Sequence, residues 1–457
     1  MIKKKYNLLI LIFLFLAWFS LWLSINTKPD EINFSLNTDI ILIINTLRIS
    51  VPLLITIILI PIIFFFVLKK IIFFVQNFFM NSIFLFTIYF ILQFIGLYFN
   101  VNLNFLDLNN SYLIILGIGS LQIVFLLKIF NLNKNLNLFL YANIFFIVIV
   151  FFVIMFSMLK NKTSHELIYL YYYIDLDQKL LEQNFPRITG FARTMAVINL
   201  TILTSFLFIR KNKSLKNIEF FLIIILSILI WSSQSRGAIL CFYTCVLALF
   251  YFYKQYNFKK KLIVIFFIIF FPVLIFESYK FYKMNVFLKN VKNSEKLEEI
   301  NRLNENRIVR SAEQGSSGRI DLWKYIIEKY DKRKIFGYGP QADRFLISTK
   351  LNQQFGNNVS NGFLYAFACG GYIALIVFIL INFKILISIY RSIFVNRIFQ
   401  IKYYFVEKLA SIFLIFFLIR VLFENSYALF SIDFLITLIS LLVLENYFGN
   451  KKKLFNI

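Results

Sequence analysis

The feature that most constrains this chain is a succession of apolar runs, each about as long as a bilayer is thick, joined by short polar gaps. A helical crossing takes ~20 mainly apolar residues, because hydrocarbon offers no partner to an unpaired backbone N–H or C=O. Such runs fall at roughly 7–25, 44–68, 75–99, 112–130, 138–159, 194–210, 218–234, 237–253, 262–279, 361–382, 405–424 and 428–447. They predict an all-α integral membrane protein with about twelve transmembrane helices. Composition agrees. Of 457 residues, 60% are hydrophobic and only 16% charged, which is too apolar for a soluble chain of this length. Pro52, Pro61 and Lys69-Lys70 blur the limits of the second and third runs. Lys3-Lys4-Lys5 followed by the run from Leu8 to Leu23 looks at first like a signal sequence. That run is longer than an ordinary signal core and no small-residue cleavage site follows, so it reads as an uncleaved first span.

The basic excess, formally +25, sits mostly in short clusters beside apolar runs. Such clusters are topology signals, and no nucleic-acid partner is expected. If the N-terminus is cytoplasmic, Lys69-Lys70, Lys128 with Lys134, and the group Arg210, Lys211, Lys213 and Lys216 share its face. Lys254 with Lys259-Lys260-Lys261, then Arg391, Arg397 and Lys402, and finally Lys451-Lys452-Lys453 join them. Of 23 acids only Glu219, Glu407 and Glu445 share that face. The positive-inside rule is met throughout with both termini cytoplasmic, and dropping one span would break it.

Three parts follow: residues 1–279 with nine spans and an outer loop at 160–193, a large outer loop at 280–360, and residues 361–457 with three spans. The stretch from Tyr279 to Ser360 carries sixteen Lys/Arg against nine Asp/Glu. Asn285–Arg310 reads as helical, and Gly315-Ser316-Ser317-Gly318 breaks it. Ile320, Trp323, Ile326 and Ile327 then form one amphipathic stripe, closed by the turn Phe336-Gly337-Tyr338-Gly339-Pro340. With no preceding strand and no helix-opening Lys-Ser/Thr, that turn is no nucleotide loop. Cys241, Cys245 and Cys369 lie in apolar segments away from His or acids and read as small core residues. No cofactor or metal is expected. Asp175-Leu176-Asp177 is the one D-x-D among the polar loops, in a Tyr-rich segment, and His165, the one histidine, reads as a solvated loop residue.

Outer-face arginines at span ends are the anomaly. Arg187 and Arg193 flank Gly190, Arg236 sits on the tight hairpin Ser235-Arg236-Gly237-Ala238, Arg319 lies in the large loop, and Arg420 lies inside a span with Glu424 one turn later. An Arg deep in hydrocarbon costs ~2.5–3.5 kcal/mol on insertion scales. Several at one depth make sense if they share an anion. A guanidinium fork matches two phosphate oxygens at once, which suits a pyrophosphate. For Arg420 the plain alternative is a local i, i+4 ion pair with Glu424.

The order of these features resembles the O-antigen ligase/O-antigen polymerase superfamily of bacterial envelope glycosyltransferases. The features are an Arg–Gly pair before a span, S-R-G-A at an outer hairpin, Arg319 with Trp323 four residues on, an F-G-x-G turn, and Ser360-Asn361 leading into Gly370-Gly371. The resemblance spans roughly Pro186 to Glu424 and implies a GT-C-like arrangement in the bacterial inner membrane, with about twelve spans and one large periplasmic loop containing short helices. It further implies an inverting, metal-independent transfer from an undecaprenyl-pyrophosphate-linked oligosaccharide donor. Arg187, Arg193, Arg236, Arg319 and Arg420 would bind the donor pyrophosphate, with Ser360 and Asn361 facing the acceptor. Arg236, Arg319 and Glu424 form the expected catalytic set. Asp321 and Glu313 are the other outer-face candidates for a general base.

Ligases of this superfamily carry His-Asn where this chain has Ser360-Asn361, which shifts the expectation to the polymerase branch, with a chain-length regulator as a possible partner. The rivals are a ligase moving finished glycan to lipid A-core, a polyprenyl-glycan transporter, and a bicarbonate-type or other multi-span protein. Neither an internal repeat nor a broken midplane helix, the marks of many transporters, is apparent in the sequence, although Pro52 and Pro61 could break one span. The topology is testable. A membrane-impermeant maleimide added from outside should label Ser317→Cys at once and Lys260→Cys only after permeabilisation. The reverse pattern overturns the assignment of faces.

Overall fold

The computed structural model describes residues 50, 53–54, 56–61, 81–99, 114–115, 117–122, 124, 191–209, 213–232, 235–252, 258–275, 278, 319–329, 334–342, 359–394, 404–424, 427–429 and 431–455. The first and fifth expected spans, the helical reading of Asn285–Arg310, and Arg187, His165, Asp175, Asp177 and Glu313 lie outside them. Among the described residues the elements are all helical: α1 (Ser82–Tyr98), α2 (Phe191–Phe208), α3 (Lys213–Ser232), α4 (Arg236–Phe252), α5 (Phe258–Ile265), α6 (Arg319–Lys329), α7 (Gly362–Phe394), α8 (Tyr404–Arg420) and α9 (Ile432–Phe455). A π-helical turn, Phe266–Phe270, continues α5. Lys213–Trp231 and Gly362–Ile393 are long and apolar enough to cross a membrane, and Ser82–Tyr98, Ala192–Phe208, Gly237–Tyr251 and Lys261–Ile275 are shorter apolar helices.

The middle of the bundle is α8, which packs on α2, α4, α7 and α9, while α1 lies along α7 and α2 along α3. A helix apolar on all sides has no preferred solvent face and goes to the interior. Accordingly Leu409, Ile412, Phe413, Phe416 and Phe417 are fully enclosed. On α3, by contrast, Leu215, Ile218, Phe221 and Leu222 point outward, as hydrocarbon allows and water discourages.

Polar groups gather at the two ends of this apolar core. At one end Glu445 accepts hydrogen bonds from Ser82 Oγ at 2.7 Å and meets Lys384 at 3.2 Å. Nearby Ser392 donates to Glu407 at 3.1 Å, and Glu219 takes Ser205 at 3.0 Å. Thus the three acids expected on the cytoplasmic face each have a polar partner. Cys241, Cys245 and Cys369 are buried, as expected of small core residues.

One helix departs from the sequence reading. α7 contains Gly371 at φ 67 and ψ −164, outside helical geometry. Residues fifteen apart on a straight helix are about 22 Å apart along its axis, yet the rings of Phe363 and Phe378 sit 5.2 Å apart, centroid to centroid. Residues 362–370 therefore fold back on 372–378 as one arm of a hairpin, with Gly371 at the tip and Asn361 at the foot. The expectation of no broken helix is corrected here. An apolar run long enough to span hides a break whose backbone groups are paired from elsewhere.

Those partners come from the large loop. Tyr338 N–H donates to Ala368 O and Gly339 N–H to Cys369 O, both at 2.9 Å, and Tyr372 N–H donates to Lys334 O at 2.7 Å. Gly337 and Gly339 take φ of 67 and 99, which glycine reaches without steric cost. At the foot, Trp323 Nε1 donates to Val359 O at 2.8 Å. Ile326, Ala342, Val359, Tyr365, Phe367, Ala368 and Cys369 form a second core apart from that of the bundle. The short arm of α7 thus belongs to a cap built from the large loop, so structurally the cap runs to Gly370 and not to residue 360. The expected stripe on α6 is corrected in one place. Ile326 is buried, but Ile327 is 51% exposed, one position round the helix from the core. Trp323→Phe keeps an aromatic ring and removes the bond to Val359, about 1 kcal/mol. Limited proteolysis of the cap should quicken severalfold, and an unchanged rate would show the cap is not held there.

Candidate functional site

Opposite the Glu445 end, the starts of α2, α4, α9 and the short arm of α7 meet the end of α8. Ser431 caps α9, its hydroxyl accepting from Phe434 N–H at 3.2 Å, which sets Asp433 in the first turn. A carboxylate there lies with the helix dipole, and so does Arg420 in the last turn of α8. Asp433 takes Arg193 Nη1 on one oxygen at 2.8 Å and Arg420 Nε on the other at 2.9 Å. The three side chains are 9%, 10% and 3% exposed for Arg193, Arg420 and Asp433.

Arg193 and Arg420, expected at one anion site, are thus adjacent, but they share a protein carboxylate that the sequence reading did not single out. The local alternative for Arg420 is the lesser contact, since Glu424 Oε2 stands 3.9 Å from Nη2. Glu424 is about one-third exposed, at the edge of the cluster. Two guanidinium groups and Asp433 leave a formal +1, and Glu424 would cancel it. An entering anion therefore needs further cations.

Arg236 opens α4, and the neighbouring Gly237 faces Phe423, whose Cβ would lie 3.4 Å from an added methyl. The start of α4 is therefore against the segment just after Arg420. Arg319 opens α6, one turn before Trp323 and its bond to Val359. The side chains of Arg236, Arg319 and Asp321 lie outside the described residues. A cation in the first turn opposes its own helix dipole. Arg193 meets that cost with Asp433, and an anion at these positions would offset it for the others.

Asn361 is the N-cap of the short arm. Its Oδ1 accepts from Phe363 N–H at 2.9 Å and Leu364 N–H at 3.1 Å. Its Nδ2 reaches Leu422 O at 3.4 Å, and Gly362 N–H donates to Val421 O at 2.7 Å. The arm's foot is therefore tied to the chain leaving Arg420. Ser360 holds φ 48, uncommon for a residue with a side chain. Ser360 and Asn361 thus stand beside the cationic cluster, with capping as one settled role of Asn361.

The cluster is recessed. Phe434, next to Asp433, packs on Phe86 and Phe90 of α1 at 5.3 and 4.8 Å. The hairpin tip meets α1 at Gly96, six residues or about 9 Å further along that helix. By the tip, Ile91, Phe94, Ile95, Tyr98, Phe99 and Phe336 line an apolar groove of about 590 Å³.

Asp433 is the functional candidate that sequence reading missed. The available signal was a carboxylate near the start of an apolar run, itself costly enough to ask for a partner. Replacing it with Asn leaves two enclosed guanidinium groups facing a neutral amide. Breaking a buried pair in this way costs about 3–5 kcal/mol. Asp433→Asn should lower the thermal unfolding midpoint of the detergent-purified protein by several degrees more than Glu424→Gln. Equal midpoints would contradict the shared-carboxylate arrangement.

Residues 220–379 match the family model described as O-antigen ligase. That segment includes the hairpin with Arg236, Arg319, Trp323, the glycine turn and Ser360-Asn361. Arg193, Arg420, Glu424 and Asp433 lie outside it. No curated protein matches the chain. The match over residues 220–379 supports the O-antigen ligase/polymerase superfamily for this chain and does not divide the ligase branch from the polymerase branch.

Proposed function

We propose that this protein polymerises lipid-linked oligosaccharide repeat units at the periplasmic face of the bacterial inner membrane. The class of reaction, ligase- or polymerase-like glycosyl transfer of a polyprenyl-linked glycan within a membrane, follows from the superfamily. The polymerase assignment is our reading. The transferase site behind it is carried by one observation: Arg193, Arg420, the helix start bearing Arg236 and the Ser360-Asn361 foot of the cap stand together at one end of the bundle.

In this reading Asp433 fixes Arg193 and Arg420 as a preorganised platform, and Arg187, Arg236 and Arg319 complete the grip on the donor pyrophosphate. A hydroxyl of the acceptor sugar attacks the donor's anomeric carbon from the face opposite the pyrophosphate. The new C–O bond forms as the bond to the phosphate oxygen breaks, the configuration inverts, and the electron pair leaves with the pyrophosphate. Fixed cations are worth most where that charge develops, because they need no reorganisation and little water competes. Glu424 is our candidate to take the hydroxyl proton, being a partly exposed carboxylate at the rim. The apolar groove beside Phe336 offers the polyprenyl chain a place off the bilayer.

Ser360 stands where superfamily ligases place His, which favours polymerase over ligase, whose acceptor would be lipid A-core. The transporter rival loses one objection, because α7 is broken at Gly371. What still speaks against it is that the arginine–carboxylate cluster lies at one end of the bundle, whereas a transporter site is expected near the midplane. Arg236→Ala or Arg319→Ala should leave single repeat units capped on the surface lipid, with the long ladder gone from a gel of surface polysaccharide. Long glycan retained on undecaprenyl pyrophosphate would mark a ligase, repeat units trapped in the inner leaflet a transporter, and a normal ladder would remove the arginine site.

A further inference from the structure

Gly96 lies on α1, outside the matched segment and outside every motif in the sequence, yet three backbone atoms of the cap meet at it. A methyl group there would run into Phe336 O, stand 2.7 Å from Cys369 O and 3.0 Å from Gly339 N. These atoms come from both halves of the hairpin joint: the glycine turn and the end of the short arm of α7. The other glycines complete the same joint. An added methyl on Gly337 would meet the backbone of Cys369, Gly370 and Gly371 at 2.6 Å each, and one on Gly339 the Leu97 Cα at 2.9 Å. One on Gly371 would strike Ile335 and come within 2.6 Å of Lys334 O. Three backbones thus pass one another at contact distance where side chains would forbid it, which is how small residues act between membrane helices. Phe99, the C-cap of α1, stacks on Phe336 beside the joint, with centroids 5.2 Å apart.

We infer that Gly96 is a positioning residue: it seats the cap on α1 and so sets the height of Asn361 and Arg319 over the Arg193–Asp433–Arg420 platform. The lever is the short arm, residues 362–370, about 12 Å long. Its tip is held by the glycine joint and its foot lies on Val421 and Leu422. Cys369 O is held by Gly339 N–H, and backbone such as this and Phe336 O cannot turn aside as a side chain would, so a methyl at Gly96 lifts the joint and tilts the arm. The platform is held separately, because the contacts of Asp433 with Arg193 and Arg420 fasten α2, α8 and α9 to one another. A displacement of reacting groups by about 1 Å costs on the order of 100-fold in rate while binding of the donor head persists.

The inference has a part independent of the proposed reaction and a part resting on it, and the experiment separates them. In the full-length protein in membranes, Phe99→Cys with Phe336→Cys is joined by a short bis-maleimide, and the linked peptides are quantified by mass spectrometry. Adding Gly96→Ala should lower the yield severalfold. An unchanged yield overturns the seating. Turnover of lipid-linked repeat units is then measured on Gly96→Ala without the cysteines, normalised to protein that elutes as folded. The expected result is a kcat lowered about 10- to 100-fold with KM for the donor within about threefold of wild type. A lost cross-link with normal kcat overturns the positioning role, as does a kcat that merely follows the amount of folded protein. If Gly96→Ala does not reach the membrane, Phe336→Ala, which leaves α1 intact, should show the same split between kcat and KM, and its absence has the same meaning. A wild-type protein without any turnover of repeat units would sink the proposed function and leave the cross-link result standing.

Discussion

The structure depends on one carboxylate that two arginines share. Asp433 holds Arg193 and Arg420 from helices far apart in sequence, at 2.8 and 2.9 Å. Its desolvation is tolerable because each of its oxygens meets a guanidinium. Enclosed ion pairs seldom add net stability compared with an apolar replacement of the same shape. A membrane bundle with so much Phe and Leu at hand had apolar alternatives, so the retained charges are better understood as serving something that enters the site. The same contacts fix three helix ends. The start of α2, the end of α8 and the start of α9 cannot drift apart without exposing a charge to hydrocarbon.

Around that fixed point the cap is joined to the bundle largely through backbone groups. The cap is tied at the tip of the α7 hairpin by hydrogen bonds from Tyr338, Gly339 and Tyr372, and at the foot by Trp323 and Gly362. Non-helical backbone survives within a membrane protein only where protein pairs its polar groups, and the glycine turn does this for the break at Gly371. The two cores express the same division. One is the Phe- and Leu-rich interior of the bundle, and the other is a small cluster including Ile326, Val359, Tyr365 and Cys369. The recess between them brings together two arginines on a shared carboxylate, a capped polar turn and a partly exposed carboxylate at the rim, the groups on which the proposed transfer rests.

Much of this was legible in the residues. Apolar runs at 218–234 and 405–424 lie where α3 and α8 form, because length and hydropathy are local properties. Gly337 and Gly339 mark a tight turn for an equally local reason, the positive φ that only glycine takes freely. What escaped was non-local. Nothing within reach of Asp433 in sequence points to Arg193, which lies 240 residues away. Glu424 looked like the partner of Arg420 because helical spacing favours it, yet the shorter contact goes to a different helix. Gly370-Gly371 was visible as a motif, but an apolar run gives no sign that its first turns fold back. The backbone of Gly371 and the pairing of Phe363 with Phe378 do.

The most direct measurement compares the binding of undecaprenyl pyrophosphate, undecaprenyl monophosphate and undecaprenol to the purified protein in lipid nanodiscs. A site built on converging guanidinium groups should hold the pyrophosphate at least tenfold more tightly than the monophosphate and the alcohol weakest of all, with the preference shrinking as salt is raised. Equal affinity for the three lipids would mean that the protein recognises only the hydrocarbon tail, and the arginine cluster would then be a structural fastening with no part in binding a diphosphate.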